Sequence, residues 1–310
     1  MPNSRFQQFA LVCLMTLLYL AGCSAPPQSN DTQPNHNTVA DNQLDADKLT
    51  DDNATDNTAT DGSAADVSAE VVVPAPVRAL RLDDNEIDDA ELERITSQHP
   101  ELVELTLGGT QITDAGLVHL QELPRLRVTR LARTAITDAG MSHVAKVETL
   151  ENVDVSRTAV GDQGIWELRT LPRLRNLNVF WTQLTDAGLA AFQREEFLSA
   201  ATIERLNLDR TAITDEGIPK LASLTNLQWL HLGVTRITDA SLAELAKMES
   251  LTEVIVTRTY VTPEGAEWLR QERPDMTVRD NISQEVTPEA IEEAVEFRQR
   301  WVPLREGGHL

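Results

Sequence analysis

Cysteine is nearly absent from the chain: two residues in 310, Cys13 and Cys23, both before residue 24. No disulfide, zinc site or thiol chemistry is therefore available to the remainder. Aromatic residues make up only 4%, with six Phe, five Trp and two Tyr, so where they cluster is informative. Basic residues are also scarce, 27 Lys and Arg against 49 Asp and Glu, for a net charge of −22. That balance argues against nucleic acid or an anionic bilayer surface as a partner of the folded body. The one long apolar run, Phe9 to Leu20, is too short to cross a membrane. No HExxH, GxSxG, P-loop or dinucleotide fingerprint occurs, and no nucleophile stands beside a base. The expectation is a protein that is not an enzyme and uses no cofactor or metal.

What the chain has instead is repetition. A Thr-led phrase opens at Thr110, Thr134, Thr158, Thr182, Thr211, Thr235 and Thr259, at spacings of 24 residues except for one of 29 between Thr182 and Thr211, and a looser copy opens at Asn85. A period of this length specifies a solenoid. In one unit, Leu102, Leu105, Leu107 and Ile112 occupy positions one, four, six and eleven, with the alternation of a short strand. After Ile112 the apolar residues recur every three or four positions behind Thr113-Asp114 and stop at Pro124, the pattern of a capped helix.

The phrase Thr-x-Ile-Thr-Asp-x-Gly-Leu, recurring in register, resembles the leucine-rich repeats of the ribonuclease-inhibitor-like and F-box-associated subclass, over residues 77 to about 276. The resemblance implies an α/β leucine-rich-repeat solenoid, a curved parallel sheet on the concave face and helices on the convex face. The ninth position, usually Asn in such families, is Thr in all seven clear copies. A threonine ladder that satisfies buried turns is expected there. The acidic residues Asp114, Asp138, Asp162, Asp186, Asp215 and Asp239 fall where helices start and are expected to be caps and dipole partners.

The ends differ from the repeats. Residues 1–22 have one basic residue, Arg5, and then the apolar run, the layout of an export signal. Leu20-Ala-Gly-Cys23 resembles a bacterial lipobox, which implies cleavage before Cys23 and lipidation of its thiol; the alternative is an ordinary signal cut near Ala25. Cys23 then starts a segment, 23–76, of Asp, Asn, Thr, Ala, Ser and Pro that is expected to be a disordered tether. Nine Asp, Glu70 and Lys48 give it −9 from Ser24 onwards, and with Arg5 set aside the remaining −14 falls on residues 77–310. Residues 77–280 are expected to form the solenoid of about eight units, and 281–310 a C-terminal capping helix and tail, with Thr287 as N-cap and Pro288 at the first helical position.

Residues at one position of successive strands form columns about 4.8 Å apart. The third, fifth, seventh and eighth positions are expected to face outward on the concave side. They carry Arg81, Arg130, Arg133, Arg157, Arg205, Arg210 and Arg258 against Asp83, Asp84, Glu104, Asp154, Asp209 and Glu253, a sum of +1 on an acidic body. Near the middle lie Phe180, Trp181, Trp229 and His231, with Asn178 and Asn207 beside them. Arg and Trp commonly anchor interfaces. The expected binding face is therefore Phe180, Trp181, Asn178, Asn207, Arg210, Trp229, His231, Arg157 and Arg133. The alternative is that these arginines cover the sheet with their stems and neutralise Asp154 and Asp209 across strands.

His119, His143 and Glu167 recur 24 apart at equivalent convex positions, but packed helices stand 8–10 Å apart, too far for them to converge on one ion. The five extra residues between Gln193 and Thr202 read as a lengthened helix or a contact loop. The expected function is a non-catalytic module with a protein partner, held to a membrane by lipid on Cys23 on the periplasmic or cell-surface side of a bacterial envelope. An envelope glycan or a passive structural role is the alternative, and an F-box-like substrate adaptor is suggested by fold analogy only.

Overall fold

The computed structural model describes residues 77–193 and 197–280. The signal, Cys23, the tether and the C-terminal capping helix fall outside the described residues, as do three residues of the insertion. Within them, each repeat contributes one three-residue strand: β1 (Ala79–Arg81), β2 (Glu104–Thr106), β3 (Val128–Arg130), β4 (Asn152–Asp154), β5 (Asn176–Asn178), β6 (Arg205–Asn207), β7 (Trp229–His231), β8 (Glu253–Ile255) and β9 (Thr277–Arg279). The nine pair in chain order, all parallel, and equivalent positions are in register, as in Leu105 with Thr129 and Leu177 with Leu206.

The register follows from burial. From β2 to β8 the central residue of each strand is buried, and with positions one, six and eleven it builds one continuous core that includes Leu102, Leu105, Leu107 and Ile112, all fully buried. A slip by one residue would turn this set to solvent. Thr129 is the exception among the central residues of β2 to β8: its hydroxyl is buried with no hydrogen-bond partner.

The convex side is less helical than the periodicity predicts. Asp89–Gln98 and Pro263–Glu272 are α-helices of ten residues and Asp138–Val144 one of seven, whereas Gly116–Glu122 and Ile218–Leu221 are 3-10 segments and the remaining units mix short pieces of both. Strands repeat at about 4.8 Å but packed helices need 8–10 Å. Slender, short convex segments limit that mismatch, and what remains curves the sheet so that its strand face is concave.

Each strand from β1 to β8 leaves the sheet through a left-handed turn. The eighth position has φ between 51° and 59° at Asp84, Arg133, Arg157, Trp181, Arg210, Val234 and Arg258, and 72° at Gly109. The ninth-position threonines close this turn: each hydroxyl donates to the carbonyl three residues earlier, from Thr110 to Leu107 (2.6 Å) through Thr259 to Val256 (2.7 Å). The ladder thus satisfies buried turns, each rung acting within its own repeat.

Bonding between repeats comes from the acidic residues, and the expectation that they cap helices is corrected. The N-caps are the preceding threonines, as where Thr137 accepts from the Ala139 amide. The Asp side chains instead reach forward one repeat. Asp114 accepts from the Thr137 amide (2.7 Å) and hydroxyl (2.6 Å), Asp162 from Thr185 in the same way, and Asp186 from Thr214 at 2.9 and 2.6 Å. The same carboxylates explain the Gly two residues after each Asp: a Cβ on Gly116 would stand 2.2 Å from Asp89, and on Gly217 2.3 Å from Asp186. Where that Gly is replaced by Ser241, its hydroxyl donates to Asp215. One rung is defective. Gly161 stands where Thr is expected, so Asp138 receives only the Gly161 amide and the helix Asp162–Glu167 has no side-chain cap.

The insertion lengthens the convex side without disturbing the sheet, since β5 and β6 remain in register. Phe197 is buried edge-on to Phe192 at 4.8 Å between ring centres, and Ser199 bonds to the Leu171 carbonyl and the Leu174 amide. Among the described residues no helix is long and apolar enough to cross a membrane.

The inter-repeat carboxylates predict two opposite outcomes. Asp186→Ala leaves the Thr214 amide and hydroxyl unpaired and should destabilise by about 2 kcal/mol. Gly161→Thr should restore both the cap and the second bond and stabilise by about 1 kcal/mol, raising Tm by roughly 2–4 °C. The Gly161 backbone (φ −131°) matches that of Thr137 (φ −129°), and a Cβ there meets nothing closer than 3.5 Å. Thr129→Val should also stabilise, by about 1 kcal/mol, since it removes a buried hydroxyl that bonds to nothing. Thermal and urea unfolding check all three.

Candidate functional site

Alternation places the third and fifth residues of each unit on the concave face, and from β3 to β7 they enclose an open groove of about 350 Å³. One wall is the third-position column Asn152, Asn176, Arg205 and Trp229; the other is Arg130, Asp154, Asn178 and Asn207 from the fifth. Local bonds orient these groups. The side-chain oxygens of Asp154, Asn178 and Asn207 accept from the amides two residues on, Ser156, Phe180 and Asp209, at 2.9–3.1 Å. The amide nitrogens of Asn178 and Asn207 remain as donors. Asn176 donates to Asn152, and its own side-chain oxygen is buried without a partner. The floor thus offers amide donors and two guanidiniums around a single carboxylate. That is the complement of a peptide backbone with polar or acidic side chains.

Only part of the expected face lines this groove: Asn178, Asn207 and Trp229. Trp229 lies under Arg205, whose guanidinium carbon is 4.4 Å from the ring centre. Phe180, Trp181, Arg157 and Arg210 sit beyond the strand ends and form a separate ridge. Phe180 and Trp181 meet edge-on at 6.1 Å, Arg157 covers both rings at 5.3 and 5.4 Å, and Arg210 covers Trp181 at 5.2 Å. Arg133 is held by Asp84 at 2.9 Å. The expectation of fully outward columns is corrected in two ways. Phe180, Trp181, Trp229 and His231 are half-buried, because left-handed turns and neighbouring strands bring guanidiniums over the first three rings and Trp229 against the fourth. Thr106 and Val234, assigned to outward columns, are buried, Thr106 because its hydroxyl donates to Asp83.

His231 packs edge-on to Trp229 at 5.7 Å, and its Nε2 is 4.0 Å from Asp209. Glycine at 233 leaves room for this pair, because a Cβ there would lie 2.9 Å from that Nε2 and 3.1 Å from Asp209 Oδ1 and would push one of them aside. Burial disfavours charge on both partners. It pushes the Asp209 carboxyl up to about 6, a rise moderated by Arg210 and Arg258, and pushes His231 down to about 4.

Groove residues that the sequence reading did not select are Arg130, Asn152, Asp154, Asn176 and Arg205. Their signal was the run of Asn and Arg along two columns. On the convex side, His119 contacts Glu122, His143 contacts Gln121 and Glu167 contacts Gln163, so these three side chains face different neighbours. Among the described residues no group of His, Cys, Asp or Glu is arranged to hold a metal.

A family model of the leucine-rich repeat matches residues 171–192 and 199–222, the repeats that carry β5 and β6 and the centre of both groove and ridge. With the sequential nine-stranded sheet, this makes the chain an α/β leucine-rich-repeat solenoid. No curated protein matches the sequence.

The buried pair predicts a pH dependence. A folded Asp209 value above its unfolded 3.8 means that the penalty for burying the carboxylate is absent below about pH 4 and grows as pH rises through 6. A folded His231 value below its unfolded 6.5 means that stability is lost as pH falls from 6.5 towards 4. The two trends oppose. Asp209→Asn removes the first, so the variant should be more stable than the parent at pH 7.5, by about 2 kcal/mol, with the advantage gone by pH 4. Urea unfolding at both pH values checks this.

Proposed function

We propose that the chain is a non-catalytic protein-binding module that is exported, carries lipid on Cys23 in a bacterial envelope, and engages a protein through its concave face. The observation that carries the binding reading is the groove floor. Asn178 and Asn207 are fixed by their own backbone with their amide N–H groups free. The carbonyl groups of an extended peptide satisfy such donors. The leucine-rich-repeat match agrees with a protein ligand at the level of fold.

The same geometry favours protein over glycan. Sugar stacking needs an open ring face, whereas Arg205 lies on Trp229, and Arg157 and Arg210 lie on Trp181. The groups left for a ligand are guanidinium and amide edges, which suit carboxylates and peptide units. The anchoring proposal rests on Leu20-Ala-Gly-Cys23 behind an apolar run, followed by an acidic segment long enough to hold the solenoid away from a surface.

A photo-crosslinking residue replacing Asn178 in the full chain should capture a discrete protein from cells of the source organism, and one replacing the convex Gln121 should not. Adding Arg205→Ala and Trp229→Ala to the Asn178 probe should reduce capture at least tenfold with the fold intact by circular dichroism. Equal capture from both faces, or none from either, would remove the concave-face reading. Independently, Cys23→Ser should abolish incorporation of an alkyne fatty acid and release the protein from the membrane fraction. Unchanged labelling would remove the anchor.

A further inference from the structure

We propose that Arg157, Trp181 and Arg210 form a carboxylate clamp selecting an acidic partner segment with two Asp or Glu side chains three residues apart in a polyproline II conformation. This deepens the protein-binding reading and rests on it.

The three residues occupy the eighth position of consecutive repeats, each three residues beyond the end of β4, β5 or β6. Neighbouring rungs are about 4.8 Å apart, which puts the two arginine backbones roughly 10 Å from each other. Trp181 lies between them and takes both guanidiniums, at 5.4 Å from Arg157 and 5.2 Å from Arg210, while Phe180 supports Arg157 at 5.3 Å. Stacking fixes the guanidinium planes and leaves their N–H edges to donate.

Those edges are unspent. Several other arginines engage carboxylates directly: Arg133 with Asp84, Arg81 with Glu104, Arg279 with Glu253. Among the described residues, neither Arg157 nor Arg210 has a carboxylate within ion-pair distance. Asp209, next to Arg210 in sequence, accepts a hydrogen bond from the Arg210 backbone and acts on its guanidinium as a nearby charge, while its oxygen Oδ1 is buried without a bond. The backbone gives a second, independent reason. Arg157, Trp181 and Arg210 sit at φ of 55°, 54° and 56°, where a side chain costs about 1 kcal/mol relative to glycine, and Gly109 shows that this turn accepts glycine. Arg157 and Arg210 are kept at a strained position, and their stacking on the Trp181 ring leaves their N–H edges unspent.

The spacing selects the ligand. Polyproline II turns once in three residues with about 3.1 Å rise each, so side chains i and i+3 share a face at about 9.3 Å. Carboxylates so placed match the roughly 10 Å between the two arginine backbones on either side of Trp181. In a β-strand, i and i+2 share a face at only about 6.8 Å, and i and i+3 point apart. The −14 of the surrounding body opposes long-range attraction of an acidic chain. Affinity therefore comes from the local bidentate contacts and should fall with salt.

The test is fluorescence anisotropy of labelled peptides with the full chain at low salt. A proline-rich peptide containing Glu-Pro-Pro-Glu should bind at least tenfold more tightly than its Gln-Pro-Pro-Gln counterpart and than a Glu-Pro-Glu-Pro peptide. Arg157→Gln and Arg210→Gln should each weaken it at least fivefold. Arg125→Gln, at a residue that pairs with Glu101, should change it less than twofold. Equal affinity for the Glu and Gln peptides, or indifference to both ridge variants with unchanged Tm, overturns the clamp. Binding that emerges only when the nine Asp of residues 24–76 are changed to Asn also overturns it, because the occupant is then this chain's own acidic segment. Failure here with crosslinking through position 178 intact removes the clamp alone and leaves the groove reading standing.

Discussion

A carboxylate that reaches from one repeat into the next holds this solenoid in register. Asp114, Asp162, Asp186, Asp215 and Asp239 each accept the amide and the hydroxyl of the following repeat's Thr, while that hydroxyl also caps or supports the local convex segment. Strands of three residues contribute few ladder bonds, so a second line of charge-assisted bonds on the far side of the turn stops successive units from pivoting. The Gly of the repeated phrase follows from it, because the carboxylate occupies the space of a Cβ. The core leucines supply cohesion without direction; the Asp–Thr rungs supply direction.

With that frame rigid, the concave face is free to vary. The third and fifth positions build a groove of amides and guanidiniums, and the eighth positions build a ridge at the left-handed turns. Both concentrate on β4 to β7, and the charges there differ in kind from the acidic remainder. Asp209 and His231 lie between groove and ridge, where burial keeps the His231 ring uncharged and raises the Asp209 carboxyl to about 6, so that Asp209 loses its charge only in mildly acidic conditions.

The repeat was largely legible in the chain. The spacing of 24 with one step of 29 marked each turn, and the inward leucines set the strand register, because apolar burial depends on periodicity that one sequence displays. The threonines at position nine were legible as turn-closing groups, since their partners lie three residues away. Asp114 and its equivalents were misread as caps, because their true partners lie 23 to 28 residues onward, across a repeat boundary. The convex helices were overread: apolar spacing of three or four suits 3-10 and α turns alike, and only packing at strand spacing decides between them.

By itself, then, the sequence determined the solenoid, its strand face and which residues could stand in each column, since local periodicity and hydrophobic burial are enough for those. Tertiary structure alone decided that Arg157 and Arg210 close over Trp181 while Arg133 is taken by Asp84, that Trp229 lies beneath Arg205, and that Asn176 keeps an unpaired oxygen. Those outcomes depend on side-chain directions at left-handed turns and on contacts between neighbouring repeats, where similar arginines in one column meet different partners.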